Sequence, residues 1–93
     1  MAGSNDDGRL SAQELSQAAL ATVEELTGYQ PEAVTALEWD DDVWRITVDA
    51  LELSRVPSTT DMIGEYVVQL DENGTLRGYK RTRRFQRCEA NQE

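Results

Sequence analysis

The sequence predicts an α+β fold: one N-terminal amphipathic helix packed on one face of a four-stranded antiparallel β-meander. Three observations carry that prediction. Apolar residues recur at three- and four-residue spacing as far as Leu26, then at every second residue from Ala33 onward. Turn-forming clusters separate the later segments, at Asp40-Asp41-Asp42, Ser54 to Asp61 and Asp71 to Gly74. A single helix and a single sheet each have one apolar face to bury, and packing the two faces together gives a two-layer domain.

Each element has its own local cause. Ser11 and Glu14 have the spacing of a capping box, in which hydroxyl and carboxylate each satisfy an amide of the first turn. Leu15, Ala19, Thr22, Val23 and Leu26 then form the apolar stripe, with Ala12 and Ala18 at its margins and Leu20 off it. Gly28 suits the left-handed position after the last turn, and Pro31 cannot continue a helix. Val34 to Trp39 is the first strand. In the second, Val43 to Leu53, Trp44, Ile46, Val48 and Ala50 share a face opposite Arg45, Thr47 and Asp49. Pro57 lacks a ladder donor, so Ser54 to Asp61 is a connecting loop. Met62 to Leu70 is the third strand, with Tyr66, Val68 and Leu70 in phase. Asp71-Glu72-Asn73-Gly74 is a hairpin turn with Gly74 at positive φ, and Thr75 to Phe85 returns as the fourth strand. Strict alternation places Tyr79, Arg81, Arg83 and Phe85 on one face of that strand, with its C-terminal half projecting from the core. The expected organisation is a disordered acidic lead at 1–9, one domain at 10–88 and a polar tail at 89–93.

Charge is partitioned along the chain. Residues 1–74 carry sixteen acids against Arg9, Arg45 and Arg55, a balance of −13. Residues 75–88 carry Arg77, Lys80, Arg81, Arg83, Arg84 and Arg87 and no acid, or +6; Glu89 and Glu93 complete the net −9. The acidic body repels nucleic acid and anionic lipid at long range, while a screening length of about 8 Å lets a basic patch act locally.

Composition narrows the chemistry. No apolar run approaches the roughly 20 residues that span a bilayer, and the N-terminal residues lack the order of a signal peptide, so the expectation is a cytoplasmic protein without membrane contact. The chain has no histidine, which removes the commonest general base and metal ligand, and its one cysteine, Cys88, forms neither a thiol cluster nor an internal disulfide. No cofactor is expected. The aspartates at 40–42 and the turn at 71–74 lack the alternating ligands, central glycine and distal glutamate of a calcium loop. An enzyme would need a deep pocket with paired carboxylates, which spacing does not locate.

Several segments, in order, resemble the gas vesicle protein O family. They are Glu25 to Glu32 (ELTGYQPE), Asp42 to Val48 (DVWRITV), Leu51 to Pro57 (LELSRVP), Thr60-Asp61, Glu65 to Asp71 (EYVVQLD), Gly74 to Tyr79 (GTLRGY) and Arg81 to Arg87 (RTRRFQR). The match covers roughly residues 12–87. Phe85 stands where a tyrosine is expected, and Val43 where a glycine is usual. The resemblance implies an accessory protein of gas vesicle formation, distinct from the main shell protein, acting through contacts with other gas vesicle accessory and shell proteins during assembly. It implies no catalytic residues, and a location in the cytoplasm or on gas vesicles.

Candidate binding residues are drawn from the basic strand and the loop. Guanidinium forks pair with carboxylates and aromatics anchor interfaces, so Arg83, Arg84 and Arg87, with Tyr79 and Phe85, form the expected docking surface. Arg77 and Arg81 are expected to serve the sheet, facing Asp49, Glu52 or Glu65 across strands. In the loop, Arg55 and Asp61 read as a clasp that is also open to a partner. The alternative of a different class is a regulatory module that binds nucleic acid through the basic strand and its aromatics; sixteen acids elsewhere weigh against it. A homodimer through a free sheet edge is a further expectation.

Overall fold

The computed structural model describes residues 10–90. The expected lead at 1–9 lies outside the described residues, as does the tail beyond Ala90. Helix α1 (Ala12–Thr27) is followed by β1 (Gln30–Asp40), β2 (Val43–Leu53), β3 (Met62–Leu70) and β4 (Leu76–Gln86), and one further helical turn, α2 (Arg87–Ala90). The strands form one antiparallel sheet in the order β1-β2-β3-β4, each paired with its sequence neighbour. This is the predicted α+β meander.

The capping box closes α1 as the sequence requires: Ser11 N–H donates to Glu14 Oε1 at 2.9 Å, and Glu14 N–H donates to Ser11 Oγ at 3.2 Å. Gly28 ends the helix at φ 78°, its N–H donating to Glu24 C=O, and Gly74 takes φ 86° in the β3–β4 turn. Leu15, Ala19 and Val23 are fully buried against Ile46, Val48 and Ala50 of β2 and Tyr66, Val68 and Leu70 of β3. Leu20, off the expected stripe, packs half-buried against this core, and Leu26 at the helix end is exposed. Strand β1 begins at Gln30, four residues before the predicted start, because Pro31 takes an edge position where no ladder donor is needed. Trp39 and Trp44 pair edge-to-face with ring centroids 5.2 Å apart. A core position is the simplest expectation for both tryptophans; Trp44 packs partly buried against the core, whereas Trp39 lies on the edge strand and is 47% exposed.

Five β-bulges distort this simple ladder. The pairings skip Glu32 and Thr35 of β1, Glu52 of β2, and Arg77 and Thr82 of β4. Each bulge inserts one residue against none on the partner strand and re-aims the side chains beyond it. Both edge strands, β1 and β4, therefore carry two bulges, a device that blunts an edge against pairing with another strand.

Candidate functional site

Strand β4 does not outrun its neighbour. Phe85 pairs with Ile63, Arg84 with Gly64 and Arg83 with Glu65, so the expected projection of the C-terminal half is replaced by pairing to its end. The expected face assignment also changes. Tyr66 pairs with Arg81 and Glu65 with Arg83, so Thr82 is the extra residue. Its hydroxyl is held by the Glu65 carboxylate at 2.8 Å. With the bulge, Tyr79, Arg81 and Arg84 share the helix side with Tyr66 and Val68, while Arg83 and Phe85 lie on the opposite side with Glu65 and Ile63.

On the helix side the centre of the cluster is Glu52, the bulged residue of β2. Its side chain is only 4% exposed. Tyr66 O–H donates to Glu52 Oε2 at 2.6 Å, Arg84 Nε lies 3.1 Å from Oε1, and Arg81 reaches the same oxygen at 3.6 Å. A buried carboxylate is tolerable only when paired and hydrogen-bonded, and these three groups supply that. Burial, then the bond to Glu52 and its negative charge, raise the Tyr66 pKa well above the usual phenol range. Gly64 makes room for this arrangement, since a Cβ there would overlap the Glu52 carboxyl group.

On the opposite side Arg83 Nε donates to Glu65 Oε1 at 3.2 Å, and its guanidinium stacks 4.5 Å over the ring of Phe85. Phe85 is 7% exposed and Ile63 2%, a small apolar pocket separate from the main core. Asp49 also lies on this side, opposite Glu65, with one carboxylate oxygen buried and unpartnered. Burial chiefly raises its pKa, and the negative charges of Glu65 and Glu32 add to the rise while Arg83 opposes it. A shallow groove of about 540 Å³ runs on past Arg45, Val67, Gln69, Gly78 and Lys80.

Arg87 closes the end of the sheet. It donates both terminal nitrogens to Glu32, at 3.1 and 2.8 Å, and its Nε and one terminal nitrogen to Asp61 Oδ2, at 3.3 and 3.2 Å. Its backbone N–H donates to the Asp61 carbonyl at 2.8 Å. Asp61 is 5% exposed. The loop clasp thus forms, but through the backbone: Arg55 N–H donates to Asp61 Oδ1 at 2.8 Å, and the guanidinium on Asp61 belongs to Arg87.

The seven residues singled out in the sequence therefore fall in different places. Phe85, Asp61 and Arg87 hold the end of the sheet together, whereas Tyr79, Arg83, Arg84 and Arg55 are exposed. The expected split of the arginines, with Arg77 and Arg81 internal and Arg83, Arg84 and Arg87 free, gives way to pairing throughout: Arg77 lies 3.8 Å from Asp71, and each of the others meets an acid. Sequence reasoning missed Tyr66 and Gly64 as polar-site residues. One signal was available, since Glu52 and Gly64 continue the apolar faces of β2 and β3, where neither an acid nor a glycine belongs. Among the described residues there is no group of three or more metal-ligating side chains, and no helix is long and apolar enough to cross a membrane.

Comparison with known proteins places this chain in a family. The family model described as gas vesicle synthesis protein GvpO matches residues 1–91. Similar proteins include gas vesicle protein O of Streptomyces sp. (strain CB03234), 45% identical over 69 residues, or 74% of this chain and 54% of that one. Gas vesicle protein O1 of Halobacterium salinarum (strain ATCC 700922 / JCM 11081 / NRC-1) is 34% identical over 70 residues, 75% of this chain and 59% of that one. Gas vesicle protein O of Haloferax mediterranei (strain ATCC 33500 / DSM 1411 / JCM 8866 / NBRC 14739 / NCIMB 2177 / R-4) is 36% identical over 70 residues, 74% of this chain and 50% of that one. The aligned regions thus span between half and three-fifths of these relatives. No solved structure matches. With the family model matching nearly its whole length, the chain belongs to the gas vesicle synthesis protein GvpO family.

Proposed function

We propose that this chain is a non-enzymatic accessory protein of gas vesicle formation that acts through contacts with other gas vesicle proteins, accessory or shell, during assembly. Its docking surface is β4, together with the adjoining loop at Arg55. One observation carries this reading: α1 packs on β1, β2 and β3, and the cations of β4 stay exposed, with Arg77, Arg81, Arg83 and Arg84 between 47% and 61% accessible. A basic strip on an otherwise acidic body selects acidic partners and steers their approach. Family membership supplies the setting, and the names of the relatives point to gas vesicles. The net charge of −9 supports a protein partner over the nucleic-acid alternative, because the acidic remainder of the chain repels an extended phosphate backbone that runs beyond the short basic strip.

The test is co-purification of the tagged protein from cells that express the whole vesicle gene cluster. Lys80→Gln/Arg81→Gln/Arg83→Gln/Arg84→Gln removes the cations from both sides of β4 and leaves the Arg87 bridge intact. The expected result is a normally folded variant that recovers less of the co-expressed vesicle proteins. Undiminished recovery would remove β4 as the docking surface, and retention of DNA that weakens steeply with salt would favour the nucleic-acid module.

A further inference from the structure

We infer that Arg81 and Arg84 form a receptor for carboxylates of an acidic polypeptide segment, held in position by the buried carboxylate of Glu52. This rests on the reading of β4 as the docking strand and names the chemistry it recognises.

The two arginines are three apart in sequence, a spacing that would put them on opposite faces of a regular strand. The Thr82 bulge brings both to the helix side, where they lean on the same Glu52 oxygen. Glu52 cannot readily swing away, because Tyr66 O–H binds its other oxygen and its carboxyl group fills the space above Gly64. Each guanidinium carries five N–H donors and spends only part of them on Glu52. The rest, on side chains 47% exposed, are available to a second carboxylate. Two guanidiniums fixed by a buried acid have lost their rotamer freedom before the partner arrives, which lowers the cost of binding. Tyr79 lies beside them on the same side, 42% exposed, and supplies an aromatic contact.

The occupant is an acidic polypeptide segment and not a nucleic acid. Two arginines and one glutamate give the site a net charge of +1, enough for one or two carboxylates. A longer polyanion would run onto the acidic remainder of a chain whose net charge is −9.

The test is fluorescence anisotropy with a short fluorescein-labelled peptide of alternating Glu and Ala, and with an oligothymidylate of equal charge. The wild-type chain is expected to bind the peptide in preference to the oligonucleotide. Arg81→Gln/Arg84→Gln should weaken binding by about tenfold or more, as expected for lost charge-assisted hydrogen bonds. Arg77→Gln/Arg83→Gln removes two charges from the same strand and should change affinity by no more than about twofold. Glu52→Gln separates positioning from charge: it makes the site more positive, so charge alone predicts tighter binding, whereas loss of positioning predicts weaker binding. Tighter binding by Glu52→Gln, equal losses in the two double variants, an oligonucleotide that binds as well as the peptide, or no peptide binding would each overturn the inference. Peptide-induced shifts of the Arg81 and Arg84 Nε–Hε resonances in the wild-type protein give the same answer without relying on any variant to fold. Co-purification separates the two levels of the reading. If the wild-type chain recovers no vesicle protein, the proposed function fails. If Arg81→Gln/Arg84→Gln loses the peptide yet recovers vesicle proteins undiminished, the receptor does not serve that partner and the inference fails alone.

Discussion

The carboxyl group of Glu52 occupies the space that a side chain at Gly64 would fill. Ala50 pairs with Gly64 in the ladder, and the bulge at Glu52 turns the acid back across the neighbouring strand. Gly64→Ala puts a methyl group into that carboxylate. Either Glu52 leaves Tyr66, Arg81 and Arg84, or the strands separate locally. The expected cost is about 1–3 kcal/mol, the range for overpacking a tight site. Urea denaturation measures it. Gly78→Ala is the control, because a Cβ there would meet only Gln69 Oε1, at 3.4 Å. It should change stability by less than about 0.5 kcal/mol. Equal effects at the two glycines would mean that backbone freedom, not space, keeps Gly64 small.

Tyr66→Phe removes the donor on Glu52 without changing the ring that packs in the core. The loss should be about 0.5–1.5 kcal/mol at neutral pH, the net worth of a hydrogen bond, since Arg81 and Arg84 remain on the carboxylate. The two proteins should also respond differently to alkali. Because the folded phenol titrates above its ordinary value of 10.0, the stability it contributes is complete below pH 10 and declines as pH rises beyond that value. The phenylalanine variant lacks this loss, so the stability gap should narrow in alkali. A gap that stays constant up to the point of alkaline unfolding would count against a buried, hydrogen-bonded phenol.

Local sequence chemistry made much of the fold legible. Ser11, Glu14 and Gly28 bound the helix because capping and positive φ are properties of a few adjacent residues. The alternation from Val43 to Leu53 and from Met62 to Leu70 gives the limits of two strands that β1 and β4 flank on both sides. The bulges were not legible. A period-two reading assumes unbroken register, and one inserted residue exchanges the faces of everything after it. That is why alternation predicts one face for Arg81 and Arg83, which lie on two. The polar site depends on the same insertions: Glu32, Glu52, Arg77 and Thr82 are all bulged residues that hold an oppositely charged or hydrogen-bonding partner. Partner choice for these residues is a long-range outcome. Arg87 meets Glu32, fifty-five positions away, and nothing local announces it.

That bridge gives a substitution test in which charge is conserved and geometry is not. Arg87→Lys keeps the cation but cannot donate two nitrogens to Glu32 while also reaching Asp61 through Nε. Asp61 is buried and would keep only the Arg55 N–H as a firm partner. The expected destabilisation is about 1–3 kcal/mol, the cost of leaving a buried acceptor short of a donor. Thermal unfolding followed by circular dichroism measures it, and hydrogen exchange should show faster opening at the backbone amide of position 87, which donates to the Asp61 carbonyl. A melting temperature equal to wild type would reduce the bridge to a surface ion pair.

Asp49 carries the opposite kind of prediction, a residue whose replacement should stabilise. One of its oxygens is buried without a partner, and Glu65 faces it across the β2–β3 ladder, with Glu32 also contributing repulsion and Arg83 only partly offsetting it. The folded carboxyl titrates above its ordinary value of 3.8 because burial disfavours the charged form. The sign is set by proton binding. Between the unfolded and folded pKa values the native state holds more protons than the unfolded state, so the contribution is complete below pH 3.8 and is lost as pH rises through the folded value. At neutral pH the ionised carboxylate is therefore a net cost. Asp49→Asn removes the charge at constant shape and should raise stability at pH 7, with an advantage that shrinks as pH falls toward 4. Paired urea titrations of the two proteins at several pH values measure the difference. An asparagine variant less stable than wild type at pH 7 would mean that attraction to Arg83 outweighs burial, and that Asp49 is a working partner of the basic strand.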